Sequence, residues 1–260
     1  MPLQKELAVM QKQISAKDRL IIALDVETPR EALSIFNALK GYAGMFKIGS
    51  QLFTAGGHAI VREIVEAGGR IFLDLKFHDI PNTVARAGVE AARLGVSIFN
   101  VHAMGGSEMM RRTVELVHEA AVRENFTRPS IIAVTALTSA DAATLAEVGF
   151  TSSVEQQVLR LARLSAECGM DGVVASPHEV PLIRASVRQE DFLIVTPGVR
   201  PAGTSRGDQK RVMTPAEAVR AGASYLVVGR AILDAPDMTR AAEEIINEME
   251  TAGKDVNRES

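Results

Sequence analysis

Short apolar runs alternate with amphipathic stretches along nearly the whole chain. The runs lie at 20–24, 45–48, 71–75, 96–101, 131–134, 172–175, 192–195 and 225–228. Each has the length and branched-residue content of a strand buried on both faces. The segments between them read as helices, among them 29–39, 59–67, 82–94, 107–121, 154–167 and 177–187. Pro29, Pro81 and Pro177 stand where a first helical turn tolerates a missing N–H. Gly41, Gly68, Gly95 and Gly169 stand where helices should stop.

Eight strand–helix units in a row build either a closed barrel or an open doubly wound sheet. The count of eight favours a (β/α)8 TIM barrel. No G-x-G-x-x-G follows the first strand, which weakens the open-sheet alternative. The expected architecture is one barrel domain spanning residues 1–260. Residues 1–16 read as an extra N-terminal helix, and residues 251–260 as a polar, frayed tail. The one long irregular stretch, 198–211, has the character of a functional loop.

Composition narrows the function without naming it. The 260 residues are close to the roughly 250 of a single α/β barrel. Lys and Arg number 29 against 32 Asp and Glu, a net charge of -3. That balance argues against a nucleic-acid or membrane-surface binder, which needs a basic field. It leaves room for a local basic pocket that holds one small anion. A single cysteine, Cys168, excludes an intrachain disulfide and fits a reducing, cytoplasmic setting. No run approaches the roughly 18 apolar residues of a membrane span. No metal-ligand spacing or cofactor fingerprint is present, so neither a metal nor a cofactor is expected.

Candidate chemistry concentrates on the third strand, in Asp74-Leu75-Lys76-Phe77-His78-Asp79. Strand alternation points Asp74 and Lys76 the same way, into the barrel near its C-terminal mouth, where barrel enzymes place their chemistry. Asp79 follows in the loop before Pro81. Asp25 ends the first strand and Lys47 interrupts the second. Taken singly, Asp25 and Lys47 read equally well as ion pairs that only bind strands together. Asp74, Lys76 and Asp79 together favour chemistry, because buried ion pairs are weak stabilisers. Asn100, on the inner face of the fourth strand, is expected to hydrogen-bond the cluster. His78 has the opposite parity to Lys76 and is expected to turn away. His102 is a better second candidate for acid–base work, though a satisfied core histidine fits it more readily.

Gly229-Arg230 follows the eighth strand. The dipeptide alone suits an ordinary strand-to-helix turn with a solvated arginine. Its place beside the glycine-rich stretch of Gly203, Ser205 and Gly207 favours an anion site. Ser176 before Pro177 fits a helix N-cap.

The segment D-x-K-x-x-D-I-P-N-T at 74–83 closely resembles the signature of orotidine 5'-phosphate decarboxylases. Val134-Thr135-Ala136-Leu137-Thr138-Ser139 and Thr196-Pro197-Gly198-Val199-Arg200-Pro201, continued by Gly207-Asp208-Gln209, resemble that family too. The resemblance spans about residues 18–240. It implies a cofactor-free enzyme that converts orotidine 5'-monophosphate to uridine 5'-monophosphate, as a homodimer with shared active sites. It implies that Lys76, Asp74, Asp79 and Lys47 carry the catalysis, with Asp79 delivered from the partner subunit. It implies that Asp25, Lys47 and Thr83 contact the ribose, and that Ser176 contacts the pyrimidine amide. Thr138 matches a binding residue near the substrate. Arg200, Gly229 and Arg230 match the phosphate contacts, and Gln209 a lid contact. The nearest rival is another D-x-K-x-x-D barrel that acts on a sugar phosphate with Mg2+; the G-D-Q segment speaks against it. A catalytically silent nucleotide-binding barrel is a further alternative, disfavoured by the intact charged triad.

Overall fold

The eight apolar runs become eight parallel strands that pair in chain order and close, β8 onto β1, into a barrel. The computed structural model describes residues 14–201 and 213–259, with side chains to residue 252. The strands are β1 (Leu20–Ala23), β2 (Met45–Gly49), β3 (Ile71–Phe77), β4 (Ile98–His102), β5 (Ser130–Val134), β6 (Gly172–Val174), β7 (Leu193–Pro197) and β8 (Tyr225–Val228). The main helices are α1 (Ala16–Arg19), α2 (Pro29–Leu39), α3 (Ser50–Glu66), α4 (Pro81–Arg93), α5 (Gly106–Glu124), α6 (Ala142–Glu147), α7 (Val154–Glu167), α8 (Val180–Ser186), α9 (Pro215–Arg220), α10 (Arg230–Leu233) and α11 (Met238–Glu259). Single 3-10 turns precede α5 and α8. The closed sheet confirms the TIM-barrel expectation. Residues 1–13, and with them most of the expected N-terminal helix, lie outside the described residues.

Local chemistry explains most boundaries. Thr28 Oγ1 accepts the Glu31 N–H in front of α2, with Pro29 in the first turn. A capping box of Ser153 and Gln156 opens α7. Gly95 and Gly169 follow helix ends with φ of 78°, which favours glycine. The helix expected over 59–67 starts earlier, at Ser50, because α3 is two helical segments joined at Gly57 (φ 58°, ψ -153°). That glycine interrupts the apolar periodicity on which the shorter reading relied. At the other terminus, residues 251–259 are not a frayed tail but continue α11. The physical reason is an apolar stripe of Ala242, Ile245, Met249 and Ala252, all buried, that carries the helix past residue 250.

Alternation along the strands separates two cores. Ile21, Ala23, Met45, Phe72, Ile98, Ile132, Val134, Val174, Val195, Tyr225 and Val227 fill the barrel interior. Their outward neighbours, such as Leu20, Ile22, Phe46, Ile71, Leu73, Phe99 and Ile131, pack beneath the helices. Inner-face polar residues therefore fall two positions beyond an interior apolar one. Ala23 leads to Asp25, Met45 to Lys47, Phe72 to Asp74, and Ile98 to Asn100. The barrel interior thus becomes a rigid floor under a charged layer at the C-terminal mouth.

The opposite end is closed by two arginines that satisfy backbone carbonyls. Arg184 donates to Gly222 O (3.0 Å), Phe192 O (2.6 Å) and Ser224 Oγ (2.9 Å). Arg19 donates to Ala223 O (3.1 Å). Among the described residues, no helix is long and apolar enough to cross a membrane.

Phe99 is fully buried and meets Phe77 edge-on, with centroids 6.1 Å apart. Phe99→Ala should cost about 3–5 kcal/mol. Urea unfolding should show a lower midpoint with an unchanged m-value. A loss below about 1 kcal/mol would mean the site collapses around the gap and the outer core is not close-packed there.

Candidate active site

The charged layer is one connected network. Lys47 Nζ donates to Asp25 Oδ1 at 2.8 Å and lies 3.6 Å from Asp74 Oδ2. Lys76 Nζ donates to Asp74 Oδ1 at 2.7 Å. Asn100 Nδ2 donates to that same oxygen at 2.7 Å. Two ammoniums and two carboxylates balance, which is what exclusion of water demands. Exposure is graded across the network. The Lys47 and Asp74 side chains are 11% and 14% exposed, Lys76 38% and Asp25 56%. The buried pair anchors the network, and the Lys76 ammonium faces the opening.

Lys76 reaches this position by an unexpected route. Regular alternation predicts an extended residue, yet its φ is +52°. An L-residue held there stores roughly 1–3 kcal/mol of strain. The β3–β4 register shows why. Leu73 faces Phe99 and Phe77 faces Val101, so three residues of β3 bulge opposite the single residue Asn100. Two extra residues preserve parity, and Asp74 and Lys76 still point inward. Asn100 Oδ1 accepts the Lys76 backbone N–H at 2.8 Å. The expected contact of Asn100 with the cluster is present at both ends of its amide.

Asp79 does not join this network within its own chain. It is exposed, and its Oδ1 accepts the Ile80 N–H at 2.6 Å. Among the described residues it makes no ion pair. Ile80, 68% exposed, and Thr83, also exposed, lie beside it at the start of α4. The cage around Lys76 within one chain is thus built from Asp74, Lys47 and Asn100.

Ser176 Oγ is buried and has no hydrogen-bond partner among the described residues. Ser176 is the N-cap of the turn that follows, in a capping-box arrangement in which Glu179 Oε2 accepts the Ser176 N–H at 2.9 Å. Gly229 opens α10 beside the first strand, where an added Cβ would lie 3.5 Å from Ala23 Cβ and 3.6 Å from Asp25 Oδ2. Those are ordinary contacts, so crowding alone does not require glycine. Arg230 is exposed at the start of α10. Arg200 is half-buried, with its N–H donating to Met213 O at 3.1 Å. Thr138 is half-buried in the loop after β5. Gln209, Gly203, Ser205 and Gly207 lie outside the described residues.

His78 is exposed, and its ring stacks on His102, with centroids 5.3 Å apart and 25° between planes. His102 is not a satisfied core histidine, because its Nδ1 is buried without a partner among the described residues. Burial first, then His78 and Lys76, hold its pKa below the ordinary 6.5. The sequence signal was available: His102 has the inward parity of Ile98 and Asn100.

Residues 18–245 match the family described as Orotidine 5'-phosphate decarboxylase / HUMPS. A Geobacter sulfurreducens protein named orotidine 5'-phosphate decarboxylase is 56% identical over 234 residues, 90% of this chain and 97% of that protein. One of the same name from Moorella thermoacetica is 55% identical over 239 residues, covering 92% and 94%. The crystal structure of orotidine 5'-phosphate decarboxylase from Lactobacillus acidophilus superposes with a TM-score of 0.78 at 36% identity, covering 88% of this chain and 98% of that one.

The lowered pKa of His102 has a consequence for stability. The unfolded chain binds a proton at this histidine more readily than the folded one. Stability should fall as pH drops below about 6.5 and level off beneath the folded pKa. His102→Asn should remove that component. Urea midpoints at about pH 7.5 and about pH 5.5 should then differ less in the variant than in the wild type. Equal differences would show that His102 takes up its proton freely in the folded barrel.

Proposed function

The chain belongs to the orotidine 5'-phosphate decarboxylase / HUMPS family, and we propose on that premise that it converts orotidine 5'-monophosphate to uridine 5'-monophosphate, the closing step of de novo pyrimidine nucleotide synthesis. The observation that carries the mechanism is the ammonium of Lys76 held 2.7 Å from Asp74 at the mouth of a closed barrel. Breaking the bond between C6 and the carboxylate releases carbon dioxide and leaves the electron pair on C6. That pair lies in the ring plane, orthogonal to the π system, so the ring cannot disperse it. A fixed positive charge beside C6 stabilises the developing anion without solvent reorganisation. The same ammonium then donates its proton to C6 and is reprotonated from solvent.

The other residues divide the remaining work. Asp74 aims Lys76, and Lys47 braces the other oxygen of Asp74. Asp25 and Lys47 bind ribose hydroxyls; Gly49 leaves the space beside Lys47 Nζ open, since a Cβ there would lie 3.1 Å away. The unpartnered Ser176 hydroxyl contacts the pyrimidine amide. Thr138 lines the pyrimidine side. Arg200, Gly229 and Arg230 hold the phosphate, and Gln209 is a further substrate contact. Clamping a remote dianion uses its binding energy to order the reacting end.

Asp79 and Thr83 act across a homodimer interface, completing the partner subunit's site. The exposure of Asp79, Ile80 and Thr83 supports this reading. Asp79 then sits against the substrate carboxylate. Its like charge adds ground-state stress, a smaller contribution than the field of Lys76. The single cysteine and modest net charge suit a cytoplasmic enzyme with no nucleic-acid or membrane partner.

Two experiments test this. Lys76→Ala and Asp79→Ala should each lower kcat by more than about a thousandfold while the protein stays folded. Mixing the two inactive variants and letting subunits exchange should restore about a quarter of wild-type activity, one intact site in each mixed dimer. Near-normal turnover by Lys76→Ala ends the mechanism, and no restoration on mixing ends the shared site. Arg230→Ala should lower kcat/KM for the nucleotide roughly ten- to a hundredfold. It should leave turnover of the phosphate-free nucleoside almost unchanged; equal losses on both would contradict the clamp.

A further inference from the structure

We propose that Asn100 is a positioning residue for the reaction, one that holds the Lys76 backbone in its left-handed conformation and fixes the Asp74 carboxylate with the same side chain. This inference rests on the decarboxylase reading above.

Asn100 is fully buried on β4, at the point where three residues of β3 face one residue of β4. The ordinary ladder is interrupted there, and Asp74, Leu75 and Lys76 have no register partner on β4. The amide fills that gap. Its Oδ1 accepts the Lys76 N–H at 2.8 Å, and its Nδ2 donates to Asp74 Oδ1 at 2.7 Å. The orientation is not interchangeable. A backbone N–H only donates and an ionised carboxylate only accepts, so one rotamer of the amide satisfies both. The Asp74 oxygen it touches is also the one that receives Lys76 Nζ. One side chain therefore ties together the main chain that launches the lysine and the carboxylate that receives its tip.

Non-glycine residues keep a positive φ only where the surroundings over-determine it. Without the amide, the Lys76 N–H loses its partner and the bulge can relax toward extended geometry. The ammonium would then move from its place beside C6, in the ring plane, while the ribose and phosphate contacts on other strands stay put. The predicted signature is a loss of kcat with little change in KM, because a misplacement of about 1 Å is worth roughly a hundredfold in rate.

Aspartate at this position separates positioning from mere packing. It is nearly isosteric and its oxygen still accepts the Lys76 N–H. Ionised, it presents an acceptor to the acceptor Asp74, and each carboxylate raises the other's pKa. Protonated, it donates to Asp74 and reproduces the asparagine.

The test measures kcat and KM for orotidine 5'-monophosphate across pH in the full-length enzyme, with Asn100→Ala and Asn100→Asp beside the wild type. Amide hydrogen exchange at residue 76 is followed in parallel. Asn100→Ala should lose about a hundredfold in kcat with KM within about threefold, and exchange at residue 76 should accelerate. Asn100→Asp should be poor at neutral pH and recover activity on acidification over a range where the wild type does not. Wild-type kcat per folded site in Asn100→Ala would overturn the proposal. So would an Asn100→Asp profile parallel to the wild type, which decides the matter should the alanine variant not fold. Absence of turnover by the wild type itself would instead overturn the decarboxylase reading. Residue 76 exchange then still decides whether Asn100 holds the lysine backbone: unchanged exchange in Asn100→Ala overturns that claim.

Discussion

The Asp74 carboxylate is the interaction on which the site depends. It receives Lys76 and Asn100 on one oxygen and stands 3.6 Å from Lys47 through the other. Two ammoniums share this mouth, and without a carboxylate between them they would repel in a region of reduced dielectric. Removing one partner of a buried ion pair costs about 3–5 kcal/mol. That figure is reduced here on the Lys76 side, where over a third of the side chain meets solvent. The gradient of exposure is itself functional. The anchored end, Lys47 with Asp74, resists movement, and the open end presents a charge that substrate can meet.

Rigidity comes from beneath. The interior layer of Ile21, Phe72, Ile98 and Val174 packs the barrel directly under the polar layer. Electrostatic catalysis requires a charge that is already in place when the reaction begins. A closed parallel sheet has no free edge to fray, so short strands suffice to hold the charges. The N-terminal face, with its arginines bound to backbone carbonyls, contributes stability and leaves the mouth free for chemistry.

Departures from ideal stability gather at the mouth. Lys76 has a positive φ, Ser176 Oγ and His102 Nδ1 are buried without partners among the described residues, and Asp79 is exposed. Each is unfavourable for an isolated barrel, and each becomes useful once a polar substrate or a second subunit arrives. Such local conflicts with folding rules mark functional sites. Thr196 Oγ1, also buried without a partner among the described residues, lies on a β7 residue of outward parity.

Strand number, barrel closure and the inward direction of Asp25, Lys47, Asp74, Lys76 and Asn100 were legible in the amino-acid order. They follow from alternation along single strands, a property of neighbours in the chain. The same order did not disclose the left-handed backbone at Lys76, the doubly engaged Asn100 amide or the His78–His102 stack. Nor did it disclose the helical course of 251–259. Each of these depends on how one element registers against another: β3 slipping against β4, a turn laid across a strand end, a helix finding an apolar seat. Periodicity reports which face of an element is buried. The gap a bulge opens, and the side chain that fills it, arise only when the strands meet.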